Sequence, residues 1–237
     1  MKINEAMIFA AGFGKRMLPL TESKPKALLE VNKKSLLENH IDTLIGLGFI
    51  NIVVNAFHLS EQIVEKIKKY DSRVNVIVEK EILETGGGLI NAIEKKMLQP
   101  KPLILLNSDT FWINNVISPF ELLLKKWDPE SMDILLCLKN KNDFCGYNGK
   151  GDFNISNETI NCSPISGVFS SMKFVFTGLQ IFKPNLIMDF KKSKFSVKEV
   201  FYPLIKKKRI FGFIDKSSWF HISNPDDFKK IKNKFKK

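Results

Sequence analysis

The chain has 237 residues, 44% hydrophobic and 26% charged, with a formal net charge of +12. That length can bury a substantial single core, and that balance excludes both a mainly disordered chain and a peptide-sized binding module. The excess of Lys implies acidic partners, which phosphates, nucleic acid or a membrane surface could each supply.

Most of the basic excess is dispersed, and it reads, with a dense run at the end from Lys229 to Lys237, as a solvated basic surface and tail. No RNA- or DNA-binding motif accompanies it, and most aromatics are Phe inside apolar runs, so no nucleic-acid partner is expected. Cys137, Cys145 and Cys162 show no CxxC spacing and are too few for a disulfide framework, which points to a reducing, cytoplasmic setting. No apolar run approaches about 18 residues, so no membrane insertion is expected.

In chain order, apolar runs alternate with amphipathic ones. The pattern predicts a strand over 6–11, a helix over 35–47, a strand over 51–57, a helix over 60–70, a strand over 74–78, a helix over 86–97 and a strand over 102–107. Strands without polar alternation suit a parallel sheet covered on both faces. Beyond Asp109 a helix is expected over 119–127, a strand over 133–138, a Gly/Asn-rich turn over 146–151 and a hairpin after it. A strand over 174–182, a helix over 196–207, a strand over 209–214 and a basic helix over 225–236 close the chain.

The fold class expected is therefore α/β, a doubly wound, mostly parallel open sheet with a small β elaboration in the second half. No Pro/Ser-rich linker divides it, so residues 1–237 are expected to form one domain of two halves, 1–110 and 111–237. Ligands of such sheets sit beyond the C-terminal strand ends. Three of those ends carry unusual residues: the loop after Ala11, the loop after Val78, and the strand that delivers Asp109.

The first loop runs Ala10-Ala11-Gly12-Phe13-Gly14-Lys15-Arg16-Met17. It is no Walker A loop, which needs Ser or Thr where Arg16 stands, and no dinucleotide fingerprint, which needs Gly where Met17 stands. Alternate glycines let backbone N–H groups approach phosphate oxygens, and Lys15, Arg16 and Lys26 add cationic donors. Two glycines alone would equally suit a tight strand-to-helix turn.

The longer pattern decides between them. Ala10-Ala11-Gly12-x-Gly14-x-Arg16-Met17-x-Pro19-Leu20-Thr21, followed by Pro25-Lys26-x-Leu28, resembles the signature of the sugar-phosphate nucleotidyltransferases. The resemblance extends through Glu79, Leu83-Glu84-Thr85-Gly86-Gly87-Gly88, Asn107-Ser108-Asp109, Gly151-Asp152-Phe153 and Phe176-Thr177-Gly178. Within that family it is most similar to bacterial N-acetylmuramate 1-phosphate uridylyltransferases.

The resemblance implies a Rossmann-like nucleotidyltransferase fold and a metal-dependent reaction of a nucleoside triphosphate with a sugar 1-phosphate, in cell wall or glycan precursor metabolism. Arg16 would bind the leaving pyrophosphate, Lys26 the transferred or sugar phosphate, and Asp109 a Mg²⁺ ion, with Mn²⁺ an alternative. Ala11, Gly12, Gly14, Glu79, Thr85, Gly86 and Gly87 would contact the nucleotide, and Asp152, Thr177 and Gly178 the sugar. Uridylyl transfer to N-acetylmuramate 1-phosphate is the specific expectation. Guanylyl transfer to mannose or heptose 1-phosphate and a non-catalytic nucleotide-sugar-binding regulator are the alternatives, and the chain is expected to be a monomer or small homo-oligomer.

Two departures stand out. The family usually carries a second metal-binding Asp in a stretch resembling Trp-x-Asp-x-Gly-Thr, and here Trp219-Phe220-His221-Ile222-Ser223-Asn224 puts His221 at that position. Either His221 binds metal or phosphate, or Asp109 and the triphosphate hold Mg²⁺ unaided, or catalysis is weak; the second is preferred because Mg²⁺ often takes one or two carboxylates plus phosphates. Ala27 stands where the family generally has a second proline, which is expected to loosen the loop around Lys26. His40 and His58 are expected to be structural.

Overall fold

Apolar runs such as Ile52-Val53-Val54 and Leu103-Ile104-Leu105-Leu106 are completely buried, so their strands can only lie inside a sheet covered on both sides. The computed structural model describes residues 2–157, 162–166 and 172–235. Its strands and helices follow in order: β1 (Glu5–Phe9), β2 (Glu30–Val31), β3 (Lys34–Ser35), α1 (Leu36–Gly46), β4 (Asn51–Ala56), α2 (Ser60–Ile67), β5 (Val74–Val78) and α3 (Glu84–Glu94). Next come β6 (Leu103–Asn107), β7 (Thr110–Ile113), α4 (Pro119–Lys126), β8 (Ile134–Asn140), β9 (Phe144–Cys145), β10 (Asn154–Ile155) and β11 (Ser163–Ser166). The chain closes with β12 (Phe174–Phe182), α5 (Phe201–Lys206), β13 (Ile210–Ile214), β14 (Ser218–His221) and α6 (Pro225–Lys234).

The main sheet has the order β10-β11-β13-β8-β12-β6-β1-β4-β5. Strands β6, β1, β4 and β5 are mutually parallel, and β8 is parallel to β13; β12 runs antiparallel between the two blocks. One apolar layer packs Phe49, Phe120 and Trp219 on one face, and another packs Leu89, Phe182 and Phe195 on the other. Strand order reverses at β1, which lies between β4 and β6, so a crevice opens at the end of β1. The doubly wound α/β sheet expected from the sequence is present.

Several boundaries differ from the sequence reading. The strand expected over 6–11 ends at Phe9, freeing Ala10 to Gly14 as a loop, and the helix expected over 86–97 runs Glu84–Glu94. The helix expected over 196–207 divides into a 3-10 turn, Val197–Val200, and α5. Pro203, which has no N–H to donate, is tolerated only in a first helical turn, so α5 begins just before it. The hairpin expected after residue 151 is β10 against β11, antiparallel; residues 158–161 between them lie outside the described residues, as does Lys236 at the end of the expected last helix.

A second sheet, β7-β14-β9, was not foreseen for residues 218–221. Four-residue strands are too short for alternation to declare them. Their pairing sets Phe220 opposite Phe111 and His221 opposite Thr110.

Candidate active site at the strand ends

The loop after β1 is shaped by Gly14, which takes the left-handed conformation (φ 63°) that glycine adopts without strain. Its carbonyl accepts from Met17 N (2.7 Å) and Thr21 Oγ1 (2.9 Å), and a Cβ on it would lie 2.9 Å from Thr21 Cγ2. Met17 is fully buried beneath the 3-10 turn Lys15–Met17 and anchors it, while Lys15 and Arg16 remain exposed. His58 Nε2 lies 3.1 Å from the Thr21 carbonyl, the structural role expected of it. A cavity of about 490 Å³ opens over this loop, lined there by Ala11, Gly12, Gly14, Lys15, Arg16 and Lys26.

Lys26 sits in a second 3-10 turn, Lys26–Leu28, held by Leu28 N to Pro25 O (2.9 Å) and Leu29 N to Lys26 O (3.1 Å). Ala27 is buried in that turn at 2% exposure. Asp109 follows β6 and its carbonyl accepts from Ile222 N (3.1 Å). Its Oδ2 receives Lys26 Nζ at 2.9 Å and lies 3.5 Å from His221 Nε2. Antiparallel pairing of β14 with β7 brings His221 there from the far end of the chain.

Burial alone would raise the Asp109 carboxyl, but the Lys26 ammonium and His221 outweigh it and hold the group well below the usual carboxylate range. Asp109 is therefore a carboxylate at neutral pH, with 27% of its side chain exposed to the cavity.

At the other end, Glu84, Thr85, Ile82, Asn55 and Ser196 line the same cavity. Thr85 Oγ1 accepts from Val197 N (3.0 Å) and lies 3.3 Å from Ser196 Oγ, tying the start of α3 to the 3-10 turn at 197–200. Glu79 is buried; its Oε1 accepts from Asn55 Nδ2 (2.7 Å) and its Oε2 from Leu83 N (3.2 Å). Burial raises its carboxyl, with those two donors working in the opposite direction. Glu79 stands behind the cavity wall and braces it.

Gly86 and Gly87 do not line this cavity. Their N–H groups donate to Phe195 O at 2.8 and 3.3 Å, and a Cβ would fall 2.2 Å from the Phe195 ring at Gly86 and 2.0 Å from Ser193 O at Gly87. The glycine run is where the 193–195 backbone docks onto α3. Asp152, Thr177 and Gly178 also lie off the cavity: Asp152 Oδ2 accepts from Phe176 N (2.9 Å), Thr177 Oγ1 donates to Cys137 O (2.9 Å), and Gly178 backs onto the Asn107 side chain. Asn55, Asn107, Ser108 and Ser196 also line the cavity; Asn107 and Ser108 belong to the motif that carries Asp109, whereas no motif marks Asn55 or Ser196.

His40, on α1, stacks on Trp112 of β7 with ring centroids 5.5 Å apart and is 2% exposed. Burial pushes its imidazole down to about 4, with the Thr110 backbone and the Asp109 charge acting in the opposite direction. Because the folded value lies below the unfolded one, this stability is full above pH 6.5 and is lost as pH falls towards 4, by about 3 kcal/mol. Thermal midpoints measured from pH 7 to 4 should fall more steeply for the wild type than for His40→Phe; equal slopes would contradict the assignment.

Comparison with known proteins gives the family. Residues 5–144 match the family described as nucleotidyl transferase, which is more than half the chain. The chain belongs to the nucleotidyl transferase family. Similar relatives include the N-acetylmuramate alpha-1-phosphate uridylyltransferase of Caulobacter vibrioides, 29% identical over 226 residues that cover 93% of this chain and 92% of that one. The mannose-1-phosphate guanyltransferase beta-A of Xenopus laevis is 24% identical over 94% of the chain, which spans 62% of that relative's length. Among solved structures, HddC from Yersinia pseudotuberculosis superposes with a TM-score of 0.76 at 23% identity, covering 99% of this chain and 100% of that one. A UDP-glucose pyrophosphorylase bound to UDP-glucose superposes with a TM-score of 0.78 at 14% identity, covering 99% and 98%. At these identities the two structures speak for the fold of this nucleotidyl transferase family chain.

Proposed function

We propose that this chain joins a nucleoside triphosphate to a sugar 1-phosphate, releasing pyrophosphate, with UTP and N-acetylmuramate 1-phosphate as its substrates. The observation that carries the reading is the convergence of Arg16, Lys26 and Asp109 on one cavity over the Gly12–Gly14 loop. The choice of substrates rests on the uridylyltransferase relative that matches nearly end to end.

An oxygen of the sugar 1-phosphate attacks the α-phosphorus, a new P–O bond forms, and the α–β bridging bond breaks with its electron pair leaving on pyrophosphate. The nucleophile is already ionised, so positioning and charge neutralisation supply most of the acceleration and no general base is needed. Arg16, exposed beside the loop, takes the leaving charge; Lys26 moves from Asp109 to the transferred phosphate. Charge-assisted contacts of this kind contribute on the order of 1.5 to 3 kcal/mol each.

Among the described residues no group of three His, Cys, Asp or Glu side chains gathers to hold a metal. Asp109 Oδ2, however, carries a cation already, the Lys26 ammonium, with His221 beside it. The Asp109 carboxylate fits a Mg²⁺ or Mn²⁺ ion shared with substrate phosphates rather than a closed protein cage, whereas the His221 imidazole is a poor ligand for hard Mg²⁺ and suits softer divalent ions. Such an ion would neutralise charge developing on the phosphoryl oxygens.

A non-catalytic regulator would have no use for Arg16, Lys26 and Asp109 together. The chain is proposed to act in the cytoplasm without nucleic-acid or membrane partners; among the described residues no helix is long and apolar enough to cross a membrane. Pyrophosphate release measured for four triphosphates against a panel of sugar 1-phosphates, with Mg²⁺ and Mn²⁺, tests the reading. UTP with N-acetylmuramate 1-phosphate should exceed every other pair about 10-fold or more in kcat/KM. GTP with mannose 1-phosphate in the lead would transfer the assignment to guanylyl transfer, and no release from any pair would sink it.

A further inference from the structure

The phosphate end and the nucleoside end of the cavity are built on separate strands, yet one side chain spans the gap between them. Asn55, the penultimate residue of β4, is 3% exposed and lies between β1 and β5 in the sheet. Its Oδ1 accepts from Ala10 N at 2.8 Å, the first residue of the phosphate loop. Its Nδ2 donates to Glu79 Oε1 at 2.7 Å, and Glu79 Oε2 accepts from Leu83 N, which begins the turn into α3.

The amide can stand only one way round, because Ala10 N–H can only donate and an ionised Glu79 can only accept. Helix α3 rests on this bridge: a Cβ on Gly88 would lie 2.9 Å from Glu79 Oε1 and 3.0 Å from Asn55 Nδ2. Two loops that close opposite ends of the cavity thus share a single buried chain of hydrogen-bonded polar groups, of the kind that tolerates little change.

We propose that Asn55 is a positioning residue that fixes the spacing between the phosphate loop at 10–14 and the nucleoside wall at 79–85, and so sets the α-phosphorus against the nucleoside. This rests on the nucleotidyl-transfer reading of the cavity. A misplacement of about 1 Å between such groups costs around 100-fold in rate, so the bridge governs use of the triphosphate far more than use of the sugar phosphate.

The test exchanges the two ends of the bridge. Asn55→Asp sets two carboxylates against each other, whereas Asn55→Asp with Glu79→Gln restores one amide and one carboxylate in reversed order. In the double variant the carboxylate on β4 would accept from Ala10 N and from the amide that replaces the Glu79 carboxylate, while the carbonyl of that amide would accept from Leu83 N. A non-hydrolysable triphosphate titrated calorimetrically should bind Asn55→Asp about 30-fold more weakly than wild type and the double variant within about 3-fold of it. KM for the triphosphate should follow, with KM for the sugar 1-phosphate within about 2-fold throughout. Wild-type affinity in Asn55→Asp, a double variant no better than the single, or equal loss for both substrates overturns the proposal. If the single variant does not fold, the double variant decides: near-wild-type affinity supports the bridge and its loss overturns it. A wild-type protein that binds no triphosphate overturns the nucleotidyl-transfer reading and the bridge's role with it.

Discussion

Asp109→Asn should lower turnover by about 10³-fold while the protein stays folded and still binds triphosphate. Asp109 is the carboxylate on which Lys26 and His221 converge, and it holds its charge at neutral pH because those partners outweigh its burial. Amidation removes the charge and keeps the shape. The Lys26–Asp109 pair is partly exposed, at 15% and 27% of the two side chains, so its loss should cost no more than about 1 kcal/mol and shift the thermal midpoint by about 2–4 °C at most. Lys26, no longer tied to a carboxylate, remains free to meet the phosphate, so triphosphate affinity should hold. Pyrophosphate release, a calorimetric titration and a melting curve on one preparation check the three parts together.

Gly87→Ala should act through the fold. The new Cβ would lie 2.0 Å from the carbonyl oxygen of Ser193, a backbone atom that cannot rotate aside. Overpacking of this kind costs about 3 kcal/mol, and for a chain of this size the midpoint should fall by about 6–12 °C. The 193–195 segment would lift from α3, losing the Gly86 and Gly87 bonds to Phe195 O and withdrawing Ser196 from the cavity wall. KM for the triphosphate should therefore rise together with the loss of stability. Gly12→Ala supplies the contrast, since a Cβ at Gly12 meets nothing within 4 Å and should leave the melting curve unchanged. A Gly87→Ala protein with wild-type stability and no nucleotide binding would instead put that glycine directly against the base.

How much of this was legible beforehand follows from the range of the interactions. The parallel strands announce themselves because burial on both faces demands uninterrupted apolar runs such as Leu103 to Leu106. The loop after β1 is legible only through the longer pattern that joins Gly12 and Gly14 to Arg16, Pro19-Leu20-Thr21 and Lys26, since two glycines alone would suit a plain turn as well. The His221–Asp109 contact needs β14 to pair with β7 across 111 residues of chain, and two four-residue strands leave no periodic trace.

Gly86 and Gly87 were expected at the nucleotide on the strength of the resemblance, and they lie instead under Phe195 and Ser193. A glycine required for close backbone approach looks the same in sequence whether a ligand or a neighbouring segment approaches it. Asp152 and Thr177 hold backbone groups of β12 and β8 instead: a short polar side chain beside a glycine serves the backbone as well as a sugar. Asn55 was passed over because an isolated amide at a strand end carries no motif, although its two bonds join the cavity's two walls.

The central claim is transfer of a nucleotidyl group to a sugar phosphate, and phosphorus NMR of a completed reaction tests it most directly. With UTP and N-acetylmuramate 1-phosphate the account predicts pyrophosphate and a nucleoside diphosphate sugar appearing in equal amounts, with no inorganic phosphate. Inorganic phosphate and free nucleotide in place of the diphosphate sugar, or resonances unchanged with every triphosphate and sugar 1-phosphate tried, would contradict it.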